Sequence, residues 1–119
     1  MGTAVAVAAA GALGTLARYG VHAFVARRGD WPLPAGTFAV NIAGSLLLGF
    51  MLALSASHEF LRIVVGLGFL GAFTTFSTLV FEVSRLLDGR SLQLGVAYPV
   101  GSLVAGLAAV YVGIRLGRL

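Results

Sequence analysis

The sequence predicts an all-α integral membrane protein of four transmembrane helices with no soluble domain. Two observations carry that prediction. Of 119 residues, 59% are hydrophobic and only 10% carry charge, whereas an ordinary soluble domain is about 25% charged. The charges also fall between long apolar stretches, and a spanning helix needs about 20 mostly apolar residues. Four such stretches use nearly the whole chain, so residues 1–119 read as a single membrane domain.

The first span covers about 3–25, uncharged until Arg18 and closed by Arg27, Arg28 and Asp30. Trp31, Pro32 and Pro34 then mark an interfacial turn and the start of a new helix. The second, about 34–56, has no charge at all and stops at Ser57-His58-Glu59. The third runs from about 61 to 87 and ends at Asp88-Gly89-Arg90. The fourth, about 91–114, is uncharged until Arg115 and Arg118. All three connections are short, so successive helices run antiparallel and both termini lie on one side. No internal repeat stands out. The N-terminal apolar run lacks a basic leader and reads as part of the mature fold rather than a signal peptide.

The net charge of +4 comes from eight arginines with no lysine. In a soluble protein this balance would point to nucleic acid. Here the arginines sit at span ends, as anchors toward the lipid bilayer and as topology signals. Arg62, Arg115 and Arg118 fall on the side of the termini, and Arg27, Arg28, Arg85 and Arg90 on the other. Three against four gives no firm orientation, so two readings stand: a chain that inserts both ways, or one oriented by something the count misses. Cysteine is absent, which excludes disulfides and thiolate metal sites.

The third span is unusual. Gly66, Gly68 and Gly71 are followed at once by Thr74-Thr75-Phe76-Ser77-Thr78. Glycines weaken a helix, and clustered hydroxyls offer partners to any backbone group it frees. One reading is a helix broken near 71–75, at a depth where irregular backbone survives only against protein or a wet cavity. The other is a continuous helix with a small-residue packing face.

Polar groups recur at one-turn spacing elsewhere. Thr37, Asn41 and Ser45 share a face of the second span, as Tyr98 and Ser102 do in the fourth. Either stripe serves interhelical hydrogen bonding, or it forms a track of donors for a dehydrated ion. Arg18 and His22 lie late in the first span; the arginine reaches toward the interface or a pore mouth, and a lone histidine is a poor metal site. Glu82 stands one turn before Arg85, so an ion pair between them is expected.

Two soluble-enzyme motifs are set aside. Gly66-Leu67-Gly68-Phe69-Leu70-Gly71 matches a dinucleotide fingerprint, but it follows no strand and opens no βαβ unit. His58-Glu59-Phe60-Leu61-Arg62 starts like a zinc-protease helix without its second histidine. No nucleophile–base pair or metal cluster is left, so no enzyme is expected.

Four stretches together resemble the Fluc/CrcB family of fluoride channels: Gly11 to Tyr19, Gly36 to Ser45, Gly68 to Thr78, and Tyr98 with Ser102. They occur in family order and cover all four spans. The resemblance implies an antiparallel, dual-topology dimer in the cell (inner) membrane, with two fluoride pores and passive export of fluoride that entered as HF. It implies a structural Na⁺ held by main-chain carbonyls of Gly71 and Thr74 from both copies. It implies a fluoride pathway along Phe76, Asn41, Thr37, Thr75, Ser77, Tyr98 and Ser102, with Arg18 in a vestibule. Leu79 stands where the family usually repeats phenylalanine, and Gly106 where a further serine is expected. Both thin the pore lining, so the partner is a second copy or a paired homologue, and the chain could be a non-transporting subunit of a heterodimer. A small multidrug-type transporter also has four spans and dual topology, but it needs a carboxylate in the first span, and residues 1–25 contain none.

Overall fold

The computed structural model describes residues 1–31, 33–54, 57–89 and 91–119. The expectations placed on Pro32, on the end of the second span at 55–56 and on Arg90 lie outside the described residues. Four helical stretches are long and apolar enough to cross a membrane: Gly2–Arg27, Ala35–Leu54, Glu59–Asp88 and Leu92–Gly117. The chain is therefore a multi-pass membrane protein.

The first two stretches are single helices, α1 (Gly2–Arg27) and α2 (Ala35–Leu54). The third is a succession of shorter pieces. Helix α3 (Glu59–Leu61) leads into a π-helical segment, Arg62–Leu70, and then into α4 (Gly71–Phe73). Thr74 has extended backbone, at φ −82° and ψ 159°. Helix α5 begins at Ser77 and continues to Asp88. The last stretch is α6 (Leu92–Gly117), with Pro99 inside it. The change of backbone therefore falls at residues 74–76, slightly later than 71–75, because Gly71 keeps helical geometry at φ −61° and ψ −35°.

The helices pack through small residues, as expected where lipid gives no hydrophobic drive between helices and close van der Waals contact takes over. The most extensive contact joins α2 and α6, and the next joins α1 and the π-helical segment. A side chain at Gly49 would collide with the Val110 carbonyl, and one at Gly113 with that of Leu46. The α2–α6 seam closes only because both positions lack a Cβ. Gly14 plays the same part on α1, against the Phe69 carbonyl.

Few large side chains are buried within one chain. Val40 and Thr37 are the largest that are fully enclosed, while Leu13, Leu67, Phe76, Phe81 and Leu107 all stand exposed. A surface this apolar is solvated by lipid or covered by another chain.

Candidate functional site

The non-helical residues at 74–76 form one centre of interest, and Asn41 of α2 holds them in place. Leaving a helix frees main-chain donors and acceptors that cost about 1–3 kcal/mol each if buried without partners. Asn41 meets two of these demands at once. Its Nδ2 donates to the Thr75 carbonyl at 2.9 Å, and its Oδ1 accepts from the Thr75 N–H at 2.8 Å. The Thr74 N–H and hydroxyl both donate to the Leu70 carbonyl, at 3.0 and 2.9 Å. Thr75 Oγ1 accepts from the Thr78 N–H at 3.2 Å and donates to Thr78 Oγ1 at 3.0 Å, so it caps the start of α5 from one residue upstream.

The carbonyls of residues 71–75 lose their i+4 main-chain donors, since the bonds on either side run from the Thr74 N–H to Leu70 and from the Val80 N–H to Phe76. In an unbroken α-helix the Gly71 carbonyl would accept from the Thr75 N–H, and the Thr74 carbonyl from the Thr78 N–H. Those two amides point instead at Asn41 Oδ1 and Thr75 Oγ1. Gly71 and Thr74 are thus two of several residues here whose carbonyls lack helical donors, and such neutral oxygens are hard ligands. Among the described residues no group of His, Cys, Asp and Glu could hold a metal.

These residues border an open cleft of about 370 Å³ lined by Asn41, Ser45, Gly71, Thr74, Thr75 and Phe76, with Leu79 beside them. Thr75 is buried, but Phe76 is 76% exposed. Its ring projects from the protomer rather than into its core.

A second polar cluster lies toward the start of α2. Thr37 donates to Glu82 Oε1 at 2.7 Å, and the Tyr98 hydroxyl donates to Glu82 Oε2 at 3.1 Å. The expected Glu82–Arg85 pair is not what holds this carboxylate. Two hydroxyls from α2 and α6 do, because Glu82 faces the bundle while Arg85 is exposed. His22 joins the cluster through Nε2, 3.3 Å from Thr37 Oγ1.

The expected pathway residues therefore separate into groups. Asn41, Thr75 and Phe76 share the cleft with Gly71 and Thr74. Thr37 and Tyr98 meet at Glu82. Ser45 turns its hydroxyl back to the Asn41 carbonyl at 2.7 Å. Ser102 is buried with its Oγ unpartnered, the one buried pathway hydroxyl whose hydrogen is not committed elsewhere in the protomer. Gly106 faces Ser45 Oγ, 3.6 Å from where a Cβ would stand, so a serine there would put a second hydroxyl beside Ser45. Ser77 is exposed outside the cleft, and Arg18 is half-buried on α1, outside the cleft but with its carbonyl 3.0 Å from His22 Nδ1. Sequence reasoning missed Glu82 and His22 as members of the polar cluster. The available signal was that Thr37 begins the stripe that places Asn41 against Thr75.

The family model described as "CrcB-like protein, Camphor Resistance (CrcB)" matches residues 5–114. The chain belongs to the CrcB family. Its CrcB relatives include the "Fluoride-specific ion channel FluC" of Nitratidesulfovibrio vulgaris, 43% identical over 114 residues that cover 92% of each chain. The "Fluoride-specific ion channel FluC 2" of Mycolicibacterium paratuberculosis is 43% identical over 97% of this chain and 93% of its own. A FluC of Chloroflexus aurantiacus is 38% identical over 99% and 97%.

Proposed function

We propose that this chain is a fluoride-selective channel, not an enzyme, that lets F⁻ leave the cytoplasm passively across the cell (inner) membrane. The observation that carries the reading is the non-helical segment at 74–76, bracketed by Asn41 and opening beside an exposed Phe76. At membrane depth such a segment serves an ion rather than the fold. The positive edge of the Phe76 ring, the spare Asn41 N–H and the free Ser102 hydroxyl are weak, neutral partners. A small dehydrated anion can use them without being trapped. The relatives' printed names supply the identity of the anion.

A single protomer leaves the cleft open on one side, so the conduit needs a second wall. The fitting partner is another copy inserted antiparallel, consistent with arginines balanced three against four; a paired homologue is the alternative. In that dimer Na⁺ would be held by the Gly71 and Thr74 carbonyls of both copies, supplying fixed positive charge at the centre of the assembly. Because main-chain oxygens are the ligands, Thr74→Ser should conduct within about twofold of wild type. Gly71→Val, whose branched side chain disfavours the helical turn before the break, should lose most flux and its dependence on Na⁺. Flux measured in Na⁺ against a bulky organic cation checks both.

The export reading is tested by growth. Cells stripped of their own fluoride exporter should regain growth in fluoride when they express this chain, and should not with Phe76→Ile. Failure of the membrane-inserted wild-type chain to rescue would point to a non-transporting subunit that needs a paired homologue.

A further inference from the structure

We propose that His22, Thr37 and Glu82 form a one-proton site that ties α1, α2 and α5 together and whose occupancy sets the rate of ion flow. The argument is a count of hydrogens. The His22 Nδ1 lies 3.0 Å from the Arg18 carbonyl, and a carbonyl can only accept, so Nδ1 carries a hydrogen. Thr37 has one hydroxyl hydrogen but two neighbours that could take it, His22 Nε2 at 3.3 Å and Glu82 Oε1 at 2.7 Å. Both contacts are bonded at once only if the trio holds one additional proton. That proton sits on His22 Nε2, which then donates to Thr37 while Thr37 donates to an ionised Glu82. Or it sits on Glu82, which donates to Thr37 while Thr37 donates to a neutral His22. The two arrangements differ by a hop through the hydroxyl and satisfy the same contacts. Remove the proton, and one link between the helices must break.

The site is built rather than incidental. Gly36 lets the imidazole lie against α2, since a Cβ there would stand 2.7 Å from His22 Cδ2. The remaining Glu82 oxygen accepts from Tyr98 of α6, whose hydroxyl also lies 3.4 Å from the Pro34 carbonyl. The charged groups nearby are Arg18 on α1, Asp30 in the turn whose cavity His22 and Glu82 share, and Arg85 on α5 beside Glu82. With the proton bound, the trio is neutral overall. Without it, a bare carboxylate faces Thr37 and Tyr98, and an approaching anion is repelled.

Trp31, the sole tryptophan, lines that same cavity and supplies a probe that needs no transport. Its emission in the purified protein should show a single-proton step as the pH is raised. His22→Gln should abolish the step. Glu82→Gln, which removes one partner of the bridge, should displace it by about tenfold in proton concentration. Thr37→Val, which removes the bridge and keeps its shape, should displace it likewise. Absence of the step, its survival in His22→Gln, or a displacement under about threefold in both bridge variants would overturn the site.

The effect on flux rests on the channel reading and has its own readout. After subtraction of empty-vesicle leak, wild-type fluoride efflux should fall several-fold from pH 6 to pH 8, and that of His22→Gln should stay level. A wild-type chain whose efflux does not vary with pH would overturn control of flow by this proton. A protein that shows the emission step but passes no fluoride would overturn the channel reading and leave the proton site standing.

Discussion

Asn41→Leu should unfold the channel rather than merely slow it. The substitution keeps side-chain bulk on α2 but removes both partners of Thr75, a residue only 7% exposed. Its N–H and C=O would each be left unbonded at a cost of about 1–3 kcal/mol. The sum is a large part of the 5–15 kcal/mol that stabilises a typical folded chain. Recovery of folded protein in detergent and the melting temperature should both drop sharply, with flux lost alongside. Asn41→Asp keeps the acceptor for the Thr75 N–H and loses the donor, so its melting temperature should fall between the two. A well-folded Asn41→Leu protein that is only slow would mean that the amide serves the ion and that the 74–76 segment holds itself.

Phe76→Ile should behave in the opposite way. The ring is 76% exposed within the protomer, so it contributes little to folding, and exposed substitutions usually fall within about 0.5 kcal/mol. What isoleucine cannot supply is the positive ring edge. Interactions of that kind are worth about 0.5–1.5 kcal/mol, and 1.4 kcal/mol is a tenfold change. Fluoride flux should therefore fall by about two- to tenfold while the melting temperature stays within a few degrees. Comparing the two variants separates the residue that holds the 74–76 segment from the residue proposed to meet the ion.

The four spans were legible in the sequence because lipid imposes a length and excludes charge, and both are visible without knowing any contact. The change of backbone in the third span was legible only as one of two readings. Glycines followed by threonines fit a packing face as well as a break, and the partner of the non-helical Thr75 is Asn41, 34 positions away. That pairing depends on how α2 is rotated against α4 and α5, which no local spacing reveals. The Glu82–Arg85 expectation failed for the same reason. One-turn neighbours are the pairs a sequence shows, whereas Glu82 found its partners on α2 and α6, 45 and 16 positions away. His22 looked solitary because its contacts reach across the turn to Thr37 and back to a main-chain oxygen. The stripe of Thr37, Asn41 and Ser45 was read correctly as one face, but its members serve three different partners.

The central claim is that this chain, unaided, conducts fluoride in preference to other halides. It is tested most directly by reconstituting the purified chain alone into liposomes loaded with either F⁻ or Cl⁻, with no pH gradient, and following the efflux of each anion. Rapid loss of F⁻ with Cl⁻ retained is the predicted result; equal loss of both anions, or retention of F⁻ until a pH gradient or a second chain is supplied, would contradict it.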